Sequence, residues 1–314
     1  MQLEQFRNKE ITSIVLIQVS PVICRMVGKW VRTCVALLGI DQLLPSLVAG
    51  KPSTYFLCKF IPDNANYKQP TRRVIVRKGV KFEVDISDHM QWLIYFGHDI
   101  ENREALYRLA RNKKAILDVG ANVGETALNM SRLAGKEAAV YAVEANPSTY
   151  KSLDYNCKLN PDLNVTGLNI GLSDHLTQMT VRRRTERNKG ADQLQSVNGQ
   201  AREKGMVQVE VKTIDHLIDH KEIPEIVDLI KIDVEGMELS VLKGAKELLE
   251  RKNPTLFLEF SESNFKDFGY TGKEVVEFLK SFNYNLVSAK TGKPVEQASQ
   301  IEDHTDLIAL KNES

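Results

Sequence analysis

Residues Ala115–Leu128, AILDVGANVGETAL, decide the fold. Ala115, Ile116, Leu117 and Val119 flank Asp118 and predict a short buried strand. Gly120 and Gly124 then bracket Ala121, Asn122 and Val123, and a helical pattern begins at Glu125. Glycine removes the Cβ that would keep backbone or ligand away, and a helix's first N–H groups point into the turn before it. Strand, glycine turn and helix in that order predict a Rossmann-like crevice at the carboxyl end of a parallel strand. The spacing narrows the ligand. A G-x-G-x-x-G fingerprint would put glycine at 122 and 125, where this chain has Asn122 and Glu125. A glutamate at the helix start is a poor neighbour for a pyrophosphate. Asp118 suits a ligand that carries an ammonium and a sulfonium instead.

Working outward, Ala139–Val143 (AVYAV) reads as a second strand ending in Glu144, followed by Asn146 and Pro147 as N-cap and first residue of a helix. A carboxylate at that strand end can accept both hydroxyls of a ribose. Val165–Ile170 is a third strand, with Ser173 and Asp174 beyond it, placed either to meet an adenine edge or to form a turn. Val227–Ile232 is a fourth, delivering Asp233, Val234, Glu235 and Gly236 ahead of Leu239, Leu242, Ala245 and Leu249 at helical spacing. Thr255–Phe260 is a fifth, with Glu259 unexpected inside it; Asn285–Ser288 and Asp306–Leu310 close the series. The expectation is an α/β protein: a Rossmann-like, mostly parallel, seven-stranded sheet with helices on both faces, plus an N-terminal accessory segment.

The order D-x-G-x-N-x-G resembles motif I of the class I S-adenosylmethionine methyltransferases. LDVGANVGETAL, VEANP, IGLSD and IKIDVEGMELSVLKGA together resemble the FkbM-type methyltransferase family. The resemblance implies S-adenosylmethionine as cofactor, held at Asp118, Gly120, Asn122, Gly124, Glu144, Asn146 and Asp174, with Ser173 beside the last. It places Asp233, Glu235 and Gly236 at the active-site edge. It also implies O-methylation of a hydroxyl on a sugar, a glycan or a glycosylated small molecule, and leaves the acceptor open.

Composition adds bounds. Lys+Arg 42 against Asp+Glu 41 leaves a net charge of +1, so no broad field draws the chain to nucleic acid. The scattered Cys24, Cys34, Cys58 and Cys157 form no C-x-x-C, which speaks against a zinc site and for a reducing, cytoplasmic setting. Residues 1–80 read as an accessory arm and linker. Ile11–Val27 is apolar but interrupted, and Lys29 and Arg32 close it too early for a spanning helix. Arg7 and Lys9 precede it as in a signal peptide, yet no A-x-A cleavage pattern follows. Trp30, Val35 and Leu38 fit an amphipathic helix against the catalytic domain or another subunit of a homo-oligomer; contact with a membrane surface is the less favoured reading.

Residues 81–110 read as a lid or joining segment, with Trp92 and Phe96 either walling an acceptor pocket or packed inward. Residues 111–314 read as the catalytic domain, with an insertion near 175–212. In that insertion Gln178–Val181 is expected to pair with Val207–Val211, and Arg182, Arg183, Arg184 and Arg187 form a solvated charge run or an anion contact.

Methyl transfer to oxygen needs in-line positioning and a base within reach of the acceptor proton. Asp233 and Glu235 are the candidates. With Glu259 they also offer oxygen ligands to a divalent metal, whose involvement stays open. Two other functions compete: a nicotinamide-dependent oxidoreductase, disfavoured by Asn122 and Glu125, and a non-catalytic methyltransferase-like binding module.

Overall fold

A computed structural model describes residues 21–98, 100, 102–182, 192–196 and 207–311. In chain order the strands are β1 (Arg72–Arg77), β2 (Val80–Asp85), β3 (Ala115–Val119), β4 (Ala139–Val143), β5 (Val165–Leu168), β6 (Gly171–Leu172), β7 (Thr177–Arg182), β8 (Gln193–Ser196), β9 (Val207–Lys212), β10 (Leu229–Ile232), β11 (Thr255–Phe260), β12 (Tyr284–Ser288), β13 (Pro294–Val295) and β14 (Thr305–Lys311). The main sheet has the order β13-β12-β14-β11-β10-β3-β4-β5. Strands β5, β4, β3, β10 and β11 run parallel, and β14 is antiparallel to both of its neighbours.

The sheet therefore has eight strands where seven were expected. The additional one is the two-residue β13, which pairs Val295 with Leu286 and Pro294 with Val287 at the outer edge. It is too short to carry an alternating pattern, and a proline at its start fits an edge position. The third expected strand also divides. After β5 the chain leaves the main sheet at Asn169, whose Nδ2 donates to the carbonyls of Glu144 (2.8 Å) and Ala145 (3.1 Å), and β6 joins a second sheet of order β6-β9-β7-β8.

All five residues of β3 are buried, as a central parallel strand requires. Adjacent residues serve opposite layers. Ile116 packs with Leu106, Ala127, Met130 and Leu153 on one face, and Leu117 with Leu239, Leu242, Leu249 and Leu279 on the other. The insertion strands pair as the alternation predicts, Gln178 opposite Glu210 and Val181 opposite Val207. Arg183, Arg184 and Arg187 lie outside the described residues; Arg182 is exposed.

The arm begins with helix Pro21–Leu37, and no single helix among the described residues is long and apolar enough to cross a membrane. Residues 51–70 lack long elements but are packed: Ile61 and Tyr67 are buried, and Tyr67 Oη donates to Asp41 Oδ2 at 3.1 Å. Trp92 and Phe96 pack inward. Phe96 is fully buried and Trp92 Nε1 donates to the Pro62 carbonyl at 2.8 Å, so this helix does not present an aromatic wall.

The β1–β2 hairpin docks through two asparagines, Asn156 on helix Pro147–Lys158 and Asn160 just past its end. Asn156 accepts from the Glu83 N–H at 2.7 Å and donates to the carbonyls of Glu83 (3.2 Å) and Val123 (2.9 Å). Asn160 does the same at Lys81, accepting at 2.9 Å and donating at 2.8 Å. The two side chains thus satisfy the open edge of β2. Asn156→Ala leaves those buried backbone groups unpaired and should cost about 2–3 kcal/mol. Denaturant unfolding measures it, and a loss below about 0.5 kcal/mol would show that water replaces the amide.

Candidate active site

Three of the five residues after β3 have a left-handed backbone: Gly120 (φ 79°), Asn122 (φ 50°) and Gly124 (φ 89°). Asparagine is among the few side chains that tolerate this region. The turn is tight for an internal reason. A Cβ at Gly120 would stand 1.8 Å from the carbonyl oxygen of Asp233, so the space the sequence reading gave to a ligand is occupied by the tip of β10. At Gly124 a Cβ would meet Leu153 at 2.7 Å.

The carboxyl ends of β3, β4, β10 and β11, with the start of the opposed β14, surround a cleft of about 280 Å³. Gly120, Asn122, Glu144, Asn146, Asp233 and Glu235 all line it. Asp118, Gly124, Ser173 and Asp174 do not line it. Asp118 is fully buried beneath the turn, Gly124 caps the following helix, and Ser173 is bonded to Asp174 at 3.1 Å, which pairs with His175 at 2.6 Å. In the third-strand corner the wall is built by Ile170, Gly171 and Leu172.

Below the cleft lies Lys231, 2% exposed in the middle of β10. Its Nζ is 3.3 Å from both Asp118 Oδ1 and Asp233 Oδ2 and donates to the Gly120 carbonyl at 2.8 Å. Burial opposes the charge, but Asp118 and Asp233 outweigh it and hold the ammonium pKa above its ordinary value. Asp118 also accepts from Thr126 Oγ1 at 2.5 Å. The sequence signal for Lys231 is a lone cation inside the otherwise apolar four-residue run Leu229–Ile232, LIKI.

Glu144 is oriented by backbone. Its Oε2 accepts from the Asn122 N–H at 2.9 Å and its Oε1 from the Asn146 N–H at 2.8 Å. Burial raises its pKa to about 7 against the pull of those two N–H groups and Lys231. Asn146 caps the next helix through Ser148 N at 2.9 Å and donates to Asp192 Oδ2 of the insertion at 2.7 Å. Gln193 Nε2 donates to the Glu235 carbonyl at 2.7 Å, so the second sheet roofs the cleft from β8.

Glu235 itself has a positive φ of 54° and accepts from Asn264 Nδ2 at 3.0 Å. Its loop is clamped from beneath by Glu238, 1% exposed, which accepts from the N–H groups of Val234 (3.0 Å) and Gly236 (3.3 Å). The helix-start acid is thus Glu238, the first residue of helix Glu238–Lys243, and Glu235 faces the cleft.

Asp233, Glu235 and Glu259 bring one carboxylate oxygen each to within 4.8 Å of one another, an oxygen-only set that suits a hard divalent cation. Glu259 stands opposite Asp306 in the β11–β14 register, and its Oε2 is buried without a hydrogen-bond partner. Burial first, then Asp233 and Glu235, push its carboxyl far above the ordinary range. The folded protein therefore keeps this proton where the unfolded chain has released it, so stability is lost as pH rises above 4.5. Glu259→Gln, neutral at every pH, should flatten that decline in a series of melting temperatures. An unchanged slope would place the proton elsewhere.

A sequence model of the FkbM methyltransferase domain matches residues 118–286, just over half of the 314-residue chain. The hexuronic acid methyltransferase AglP of Haloferax volcanii is 28% identical over 159 residues, 49% of this chain and 61% of that protein. Methyltransferase 1 of Beauveria bassiana is 29% identical over 148 residues, 41% of this chain and 57% of that one. The chain thus spans about three fifths of each of these relatives. Among solved structures, an FkbM methyltransferase from Methylobacillus flagellatus aligns over 90% of this chain and 60% of its own, at 15% identity and a TM-score of 0.41. TYW2 of M. jannaschii, solved in complex with AdoMet, aligns over 77% and 87%, at 15% identity and a TM-score of 0.39.

Proposed function

The chain belongs to the FkbM methyltransferase family, and from that membership we propose that it carries the methyl group of S-adenosylmethionine to a hydroxyl of a sugar-type acceptor. The observation that carries the cofactor reading is Glu144. Its two oxygens are each fixed by one backbone N–H, which leaves a lone pair on each for a ribose hydroxyl. The rest of the lining fits the same ligand. Glu125, Asp192, Asp233, Glu235 and Asp306 outnumber the cations Arg103 and Lys231. Such a wall favours a sulfonium and an ammonium and opposes the two phosphates of a nicotinamide dinucleotide.

S-adenosylmethionine, when bound, supplies an electrophilic methyl group. The chain's part is to hold the acceptor oxygen in line and to take its proton as the C–O bond forms and the C–S bond breaks. The proton is assigned to Asp233 on the support that it lines the cleft, is held by Lys231 and is 32% exposed. A sugar-type acceptor is supported by the relative named a hexuronic acid methyltransferase.

Calorimetric titration with S-adenosylmethionine and with NAD tests the cofactor, and incubation with uronic-acid glycans followed by mass spectrometry tests transfer. Binding without a methylated product from any sugar would favour the non-catalytic module. Glu144→Ala should weaken S-adenosylmethionine at least about tenfold, since it removes two charge-assisted acceptors. Because the ionised carboxylate is the better acceptor, parent affinity should fall as pH drops below about 7, and the variant's should not. A parent profile without that dependence would remove the ribose from Glu144. Asp233→Asn should lower kcat by roughly a hundredfold or more with little change in cofactor Kd; an unaltered kcat would assign the proton to another group.

A further inference from the structure

The β10 side of the cleft contains a cation with unspent hydrogen bonds. Arg103 opens helix Arg103–Ala110, lines the cleft, and has a side chain 19% exposed. Its Nε lies 3.5 Å from Glu125 Oε2, an ion pair without a hydrogen bond, and is buried. The guanidinium donates no hydrogen bond to any of the described residues. Lys231, the other cation of the lining, is committed to Asp118, Asp233 and the Gly120 carbonyl. The buried Nε has no hydrogen-bond acceptor among the described residues, and a guanidinium presents a planar set of donors shaped for a carboxylate.

The sheet order, with the proposed position of the ribose, points to one carboxylate. Glu144 tops β4 on one side of β3. The acids whose charges act on Arg103, namely Glu125, Asp233 and Asp306, belong to the helix after β3 and to β10 and β14 on the other side. A cofactor with its ribose on Glu144 and its methyl group toward Asp233 must lay its amino-acid tail on this second side. There the lining acids Glu125, Glu235 and Asp306 can receive the ammonium but repel the carboxylate. Resting on the cofactor reading above, we propose that Arg103 is the binding site for the α-carboxylate of S-adenosylmethionine.

Titration of the parent, Arg103→Met and Arg103→Lys with S-adenosylmethionine and with its decarboxylated form isolates this contact, because the analogue keeps the nucleoside, sulfonium and amine. The parent should prefer the complete cofactor by at least about tenfold. Arg103→Met should lose that preference, with the analogue's affinity nearly unchanged. Arg103→Lys keeps the charge beside Glu125, and with it the fold, and should fall between the two. Equal losses for both ligands, or no loss for either, would overturn the assignment. A parent that binds neither ligand would remove the cofactor reading itself, and this proposal with it.

Discussion

The buried ammonium of Lys231 ties the cleft together. Moving a cation out of water costs several kcal/mol, and that cost is met only where partners surround it. Asp118 and Asp233 supply the charge and the carbonyl of Gly120 supplies an acceptor, and these three groups sit on the tips of neighbouring strands β3 and β10. One side chain therefore locks the glycine turn to the strand that delivers the candidate base. The contact between Gly120 and the Asp233 carbonyl acts in the same direction by sterics.

Charge balance explains the remaining acids. With Lys231 neutralised by two carboxylates, Arg103 is the remaining cation among the described lining residues, set against Glu125, Glu144, Asp192, Glu235, Glu259 and Asp306. Such a wall is self-repelling, and the protein relieves it by keeping the Glu259 carboxyl protonated and by raising Asp306 to about 6, through burial first and Asp233 next. A cationic ligand relieves the same repulsion. This links the excess of acids in the wall to the sulfonium chemistry of the proposed cofactor, without appeal to any single contact.

Strand tips were legible in the sequence because a buried parallel strand must be a short apolar run and whatever polar residue ends it stands at the crevice. Asp233, Glu144 and Gly120 were found in that way. Ser173 and Asp174 follow the same rule on paper, yet they stand away from the cleft because the chain leaves the main sheet after Leu168 and turns into a second sheet. Periodicity reports burial and not which sheet a strand joins. Lys231 and Glu238 were passed over for a related reason: a charge within an apolar run looks like an exposed face until its partners, distant in sequence, are known. Arg103 and Asp306 lie far apart in the sequence, and the antiparallel insertion of β14 brings Asp306 to the same rim.

The family match begins at Asp118, and that boundary has a structural meaning. The parts of the cleft fixed by strand tips, from Gly120 through Asp233 to Glu259, lie within it and are locked by backbone and by Lys231. The wall made by Met90, Ile94, Ile100 and Arg103 lies before it, and the roof of Val181, Asp192, Gln193 and Leu194 is an insertion held by side-chain bonds such as Asn146 to Asp192 and Gln193 to Glu235. Backbone-fixed positions cannot vary without breaking the turn, whereas wall and roof side chains can change at little cost to the sheet. The outer wall and roof are therefore the parts of the cleft whose shape is least constrained by the sheet.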